Sequence, residues 1–217
     1  MDLPERLIEG YEAFRTGRLL REQSRYRDLA EHGQSPETMV IGCCDSRVSP
    51  NVIFDAGPGE LFIVRNVANL VPPFSPDDAY HGVSAALEFA VQVLRVKHIV
   101  VLGHARCGGI RAFAEPREPL SPSDFIGKWM SMIAPAAAAL GPRTDSPETY
   151  LRRLEQAAMA TTLENLMTFP YVRSQVESGA LALHAAYFDV ASGDLAVRDP
   201  ASGSFRPCFG TPKAAAE

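Results

Sequence analysis

Three chemically demanding side chains, a thiol, a carboxylate and a guanidinium, stand two residues apart in Cys43-Cys44-Asp45-Ser46-Arg47. They follow Thr38-Met39-Val40-Ile41, a short apolar run with β-branched residues that reads as the end of a buried strand. If the backbone stays extended, alternation puts Cys43, Asp45 and Arg47 on one side. Open α/β sheets bind ligands outside the carboxyl ends of their strands, so this ending is a candidate site.

The pattern recurs. His98-Ile99-Val100-Val101-Leu102-Gly103 runs into His104-Ala105-Arg106-Cys107-Gly108-Gly109. In a tight turn His104 and Cys107 can face one point, while Gly108 and Gly109 allow close backbone approach and lead into a helix near Ile110. A cysteine beside a helix start has its thiolate favoured. Cys43, His104 and Cys107 then make a set of two thiolates and one imidazole, a catalytic zinc arrangement whose fourth position is open to water. Cysteine is also a common small buried hydrophobe, and His-x-x-Cys alone is a weak signal. Two such strand endings, one also carrying Asp45 and Arg47, point to a metal centre. An Asp-Arg pair elsewhere would be an ordinary ion pair; beside a metal cysteine it reads as catalytic.

The spacings C-x-D-x-R and H-x-x-C, with Val64-Arg65-Asn66-Val67-Ala68-Asn69, Pro72-Pro73, Gly82 and Thr168-Phe169-Pro170 in the same order, resemble the β-class carbonic anhydrases over about Gln34 to Asp189. The resemblance implies one Zn2+ per chain on Cys43, His104 and Cys107, CO2 as substrate and bicarbonate as product. Asp45 is then expected to orient a zinc-bound hydroxide, with Arg47 holding Asp45 and keeping it off the metal. Aligned on the motifs, Gln34 falls on a glutamine donor to substrate oxygen in the type I, plant-type branch. Phe62, Val67 and Phe89 fall on the apolar lining, part of it supplied across a dimer interface, and Gly108 falls where a backbone N–H points into the site. By pattern alone Phe62, Val67 and Phe89 would be core and Gln34 a loop residue.

There are departures from that branch. Phe89 stands where many type I members carry tyrosine, and Met39-Val40-Ile41-Gly42 lacks the tryptophan that marks the other branch. The combination implies type I behaviour without a bicarbonate-inhibited switch. Relatives of this fold also hydrolyse carbon disulfide or carbonyl sulfide, but restrict their entrance with longer termini that are not evident here. A silent zinc-binding protein would not need Asp45 and Arg47, and a redox protein on Cys43-Cys44 lacks the Cys-x-x-Cys spacing.

The elements that must position these residues follow from the rest of the 217-residue chain, a length that fits one domain. Composition, 46% hydrophobic and 22% charged, is that of a globular protein, and a net charge of −5 gives no reason to expect nucleic acid. No apolar run approaches the ~18 residues of a membrane span. Met1-Asp2-Leu3-Pro4-Glu5 is acidic where a signal peptide is basic, so a cytoplasmic protein is expected. Four cysteines, two of them adjacent, do not form a secreted disulfide framework.

Leu3, Leu7, Tyr11 and Phe14 space a helical arm over residues 2–32, with a break expected at Thr16-Gly17. In the resembling family such an arm wraps a second subunit, which implies a homo-oligomer, a dimer or dimer of dimers. The division expected is an arm (1–33), a catalytic α/β core (34–209) and a disordered tail (210–217). Within the core, residues 60–65 read as a strand and 81–95 as a crossover helix with Val83, Ala86, Leu87, Ala90, Val91 and Leu94 on one stripe. Residues 114–124 read as a proline-rich loop, 123–140 and 149–168 as helices, the latter capped by Ser146 or Thr149. Residues 181–189 read as a strand, folded back at Ala191-Ser192-Gly193-Asp194 into an antiparallel edge at 195–198. This alternation implies a mostly parallel sheet flanked by helices; the resemblance supplies the order 2-1-3-4 plus the antiparallel edge. His32, His81, His98, His184 and Cys208 receive no role.

Overall fold

A computed structural model describes residues 3–77, 79–115 and 123–209. The amphipathic N-terminal segment forms α1 (Glu5–Ala13) and α2 (Leu19–His32), joined through a π-helical turn at Phe14–Arg18. The break expected at Thr16-Gly17 is therefore a widened turn. Thr16 Oγ1 donates to the Glu12 carbonyl at 2.9 Å, a back-bond that competes with the helical ladder and accompanies the widened turn; the helix resumes at Leu19. Neither helix contains a buried residue; Leu7 and Tyr11 are 59% and 60% exposed. Among the described residues the arm is anchored near its end, where Arg25 Nε donates to the Pro58 carbonyl at 2.5 Å and Leu29 packs on Gly59. A Cβ at Gly59, whose φ is +78°, would lie 2.6 Å from Leu29.

The apolar runs become strands and the stripes become helices. The core runs β1 (Thr38–Cys43), α3 (Pro50–Ile53), β2 (Leu61–Asn66), α4 (Gly82–Glu88) with a π turn over Phe89–Val93, β3 (His98–His104) and α5 (Gly108–Ala114). It continues through α6 (Phe125–Met130), a 3-10 turn at Ser131–Ile133, α7 (Ala134–Leu140), α8 (Pro147–Leu166), α9 (Pro170–Glu177), β4 (Ala182–Phe188), β5 (Leu195–Arg198) and β6 (Phe205–Pro207). The helix expected over 123–140 is thus two, because Pro135 in the first turn of α7 has no N–H to continue the earlier one. Ser146, not Thr149, caps α8: its Oγ accepts from the Thr149 N–H at 3.2 Å. Helix α9 was not anticipated, although Pro170 at its first turn is a helix-start signal. Ala114 closes α5; the rest of the expected proline-rich loop falls largely on 116–122, outside the described residues, as does the tail 210–217.

The sheet order is β2-β1-β3-β4-β5-β6, with β1 to β4 parallel and the last two antiparallel. This is the expected 2-1-3-4 core, extended outward from β5 by β6. Met39, Ile41, Ile99 and Val101 form one core with Leu87, Met159, Leu166, Phe169 and Val172 from α4, α8, Phe169 and α9. On the other side Val40, Leu102 and Ala186 meet Ile53 of α3 and strand residues such as Ile63 and Leu195. Because β1 and β3 are neighbours in register, Gly42 opposite Leu102, Cys43 and His104 emerge side by side at the carboxyl edge.

Candidate metal centre

Cys43 is the last residue of β1 and His104 the last of β3, both buried. After His104 the chain reverses through Arg106, at φ +59°, and Cys107 becomes the N-cap of α5. This turn brings Cys107 back: one donor atom from each of Cys43, His104 and Cys107 lies within 4.8 Å of the others, and the two sulfurs are 4.0 Å apart. Gly109 makes the close approach possible, since a Cβ there would stand 2.7 Å from Val67 Cγ1.

His104 Nδ1 donates to the Ala105 carbonyl at 2.9 Å, which leaves the lone pair on Nε2. Nε2 is buried and has no hydrogen-bond partner among the described residues. A polar atom left so typically costs about 1–3 kcal/mol; a metal ion between Nε2 and the two sulfurs removes that cost. Two sulfurs and one imidazole nitrogen suit zinc, and the donor set therefore fits such an ion. The Cys43 thiol is pushed down by hydrogen bonds from the Cys107 thiol, then by His104 and the Asp45 and Ala68 N–H groups, the last at 3.4 Å. Cys107 is pushed up by the Cys43 thiolate and by burial, so without a cation the pair shares one charge. Burial opposes the charged form of His104, but the Cys43 thiolate, the Ala105 carbonyl and Asp45 together raise the imidazole.

Asp45 and Arg47 meet differently from the extended arrangement expected. β1 ends at Cys43, and the chain turns over Asp45 to Val48, whose N–H donates to the Asp45 carbonyl at 3.2 Å. The cause is the carboxylate: Oδ1 accepts from Arg47's own backbone N–H at 3.0 Å, bending the chain. Arg47 Nε donates to Oδ1 at 2.9 Å and Nη2 to Oδ2 at 2.7 Å, a bidentate pair. The Arg47 guanidinium holds the Asp45 carboxyl well below the usual carboxylate range. Nη2 also donates to the Arg106 carbonyl at 3.2 Å, which ties the dyad to the Cys107 turn.

Sequence reasoning missed two supports. Arg65 Nε donates to the Cys43 carbonyl at 2.8 Å and Nη2 to that of Asp45 at 2.6 Å, fixing the bend from β2. Glu155 on α8 is buried, with Oε1 accepting from the Cys107 N–H at 2.9 Å and Oε2 from the Tyr187 hydroxyl at 2.5 Å. Its signal was a carboxylate beside the apolar stripe Leu151, Leu154 and Ala158.

The other sequence candidates are dispersed. Val67 packs in the cluster containing Cys43 and Cys107, and Gly108 starts α5 with open space where a Cβ would project. Phe62 and Phe89 instead stack on each other, ring centroids 5.9 Å apart, and Phe89 is 43% exposed. Phe62 pairs in register with Met39, four residues before the Cys43 end of β1. Gln34 is exposed and precedes β1 at its far end, so ~17 Å of strand separates it from Cys43 in the same chain. Cys44 and Cys208 are exposed and free. No helix among the described residues is long and apolar enough to cross a membrane.

A family model described as Carbonic anhydrase matches residues 38–195. The chain is 37% identical over 198 residues to Beta carbonic anhydrase 3 of Arabidopsis thaliana, covering 89% of this chain and 76% of that protein. Among solved structures, the β-carbonic anhydrase CcaA superposes with a TM-score of 0.88 at 28% identity, covering 95% of this chain and 92% of the other. One of two tetrameric β-carbonic anhydrases from Sordaria macrospora superposes at 0.77 with 27% identity, covering 92% and 96%.

Proposed function

This chain belongs to the β-class carbonic anhydrases, and on that premise we propose that it catalyses the reversible hydration of CO2 to bicarbonate and a proton at a zinc ion held by Cys43, His104 and Cys107. The observation that carries the metal assignment is the buried, unpartnered His104 Nε2 facing two sulfurs. Zinc bound there would supply Lewis-acid chemistry, making a water acidic enough to act as nucleophile near neutral pH.

The two cysteine thiolates cancel the dication's charge, so that acidification is weaker than three neutral imidazoles would allow. Asp45 makes up part of the difference by positioning. Held ionised by Arg47, its carboxylate only accepts hydrogen bonds; taking one from the attacking water turns a lone pair toward CO2. Arg47 keeps Asp45 from swinging onto the metal, and its bond to the Arg106 carbonyl fixes the dyad relative to Cys107. Atoms balance as CO2 and water giving bicarbonate and a proton.

Val67 and Gly108 supply the apolar wall and a backbone donor beside the ligands. Gln34, Phe62 and Phe89 lie away from the site of their own chain, and a second copy contributes them in our reading. The unburied arm supports assembly as a dimer or dimer of dimers, as does the tetrameric state named for the Sordaria proteins. Stopped-flow CO2 hydration across pH, on protein of measured zinc content, tests the proposal. About one zinc per chain with activity continuing to neutral pH is expected; stoichiometric zinc with no hydration at any pH overturns it.

A further inference from the structure

Helix α8 carries one carboxylate into the core. Glu155 is 5% exposed, surrounded along its helix by Leu151, Leu154, Ala158 and Met159, and both its oxygens are engaged. Burying an acidic group is expensive unless hydrogen bonds satisfy it, so its partners show what it holds. Oε1 accepts from the backbone N–H of Cys107 at 2.9 Å. Oε2 accepts from the Tyr187 hydroxyl at 2.5 Å, and Tyr187 belongs to β4, the strand beside β3. The turn being held is the one with Arg106 at φ +59°, a conformation that ordinary side chains disfavour and that persists only where neighbours impose it. As the N-cap, Cys107 makes no side-chain cap bond; its carbonyl accepts from the Arg111 N–H of α5 at 3.0 Å, while its own N–H is taken by Glu155.

We infer that Glu155, braced by Tyr187, is the positioning residue for Cys107: it fixes the Arg106–Cys107 turn from behind so that the Cys107 sulfur is aimed at Cys43 and His104 before a metal arrives. The inference rests on the reading that these three residues hold zinc. Glu155 touches neither the metal position nor the substrate, and acts through the backbone of a ligand. Outer partners of this kind are typically worth ~10–100-fold in metal affinity.

The test is zinc affinity of the metal-free full-length protein, measured by competition with a chromophoric chelator, for wild type, Glu155→Ala, Glu155→Gln and Tyr187→Phe. Cobalt(II) spectra of the same proteins and circular dichroism of the metal-free forms accompany it. The alanine variant is expected to lose ~10–100-fold in affinity. Gln, which still accepts from the Cys107 N–H but must turn its NH2 toward Tyr187, and Tyr187→Phe should lose less, and all should shift the thiolate-to-cobalt band. Arg152→Gln, which breaks the nearby exposed Arg152–Asp189 bridge and leaves the Glu155–Tyr187 hydrogen bond in place, should leave affinity and band unchanged. Folded variants with wild-type affinity and an unshifted band overturn the inference. If the Glu155 variants fail to fold, Tyr187→Phe decides, because it removes one hydroxyl and keeps the ring against Phe205. A wild type that binds no zinc overturns the metal reading itself, a separate outcome.

Discussion

His104 Nε2 and Asp45 Oδ2 stand 3.9 Å apart, too far for a hydrogen bond and near enough to meet the same small ligand. The separation is set from both sides. His104 is fixed by the Ala105 carbonyl and Asp45 by three bonds from Arg47. The Nε2 lone pair and the carboxylate are thereby adjacent but distinct.

Asp45→Asn keeps the shape and the metal donors but loses the ionised acceptor. Turnover should fall ~10²-fold or more, since loss of alignment alone is worth that much, with zinc content unchanged. Stopped-flow hydration alongside metal analysis checks it, and a fully active variant removes Asp45 from the mechanism.

Arg47→Lys retains a positive charge but cannot form the bidentate pair or reach the Arg106 carbonyl in the same geometry. Activity should drop and its low-pH limit should move upward, because a less restrained Asp45 competes for the metal's open position. An unchanged pH profile would mean that the guanidinium is only a surface partner.

Cys107→Ser replaces a soft donor with a weak hard one at a position buried against Cys43. Zinc affinity should fall beyond the ~10–100-fold typical of an outer partner, and Cys44→Ser, at an exposed thiol, should have no effect. Chelator competition separates the two.

His98 Nδ1 and His184 Nε2 face each other at 3.3 Å, and burial, then the nearby His98, hold His184 below the ordinary imidazole value. In the unfolded chain His184 takes up its proton near pH ~6.5. Its folded value is lower, so between the two the unfolded state binds more protons and stability falls as the pH is lowered. Denaturant melts of the metal-free protein should therefore show stability level above pH ~6.5 and declining below it. His184→Asn should flatten part of that decline.

Leu7 and Tyr11 on α1 are large, apolar and unburied. Leu7→Glu with Tyr11→Glu should lower the solution mass in light scattering and, if a second copy completes the substrate pocket, reduce hydration as well. An unchanged mass would place the assembly contact elsewhere.

Much of this protein was legible locally. Apolar runs ending abruptly in Cys43-x-Asp45-x-Arg47 and His104-x-x-Cys107 mark strand ends because alternation, burial and turn residues act over neighbouring positions. The parallel core and its helices follow from the same short-range patterns. Where a local pattern misled, a side chain altered the backbone: Thr16 back-bonded within a widened turn, Asp45 bent a strand end, and Pro135 divided a helix. What only the tertiary structure decided involves residues far apart in the chain. Glu155 under Cys107, Arg65 across Cys43 and Asp45, and β6 beside β5 are each fixed by packing between separate elements. Residue types and spacing specify which donors exist. Their aim depends on hydrogen bonds that close only when the sheet has formed.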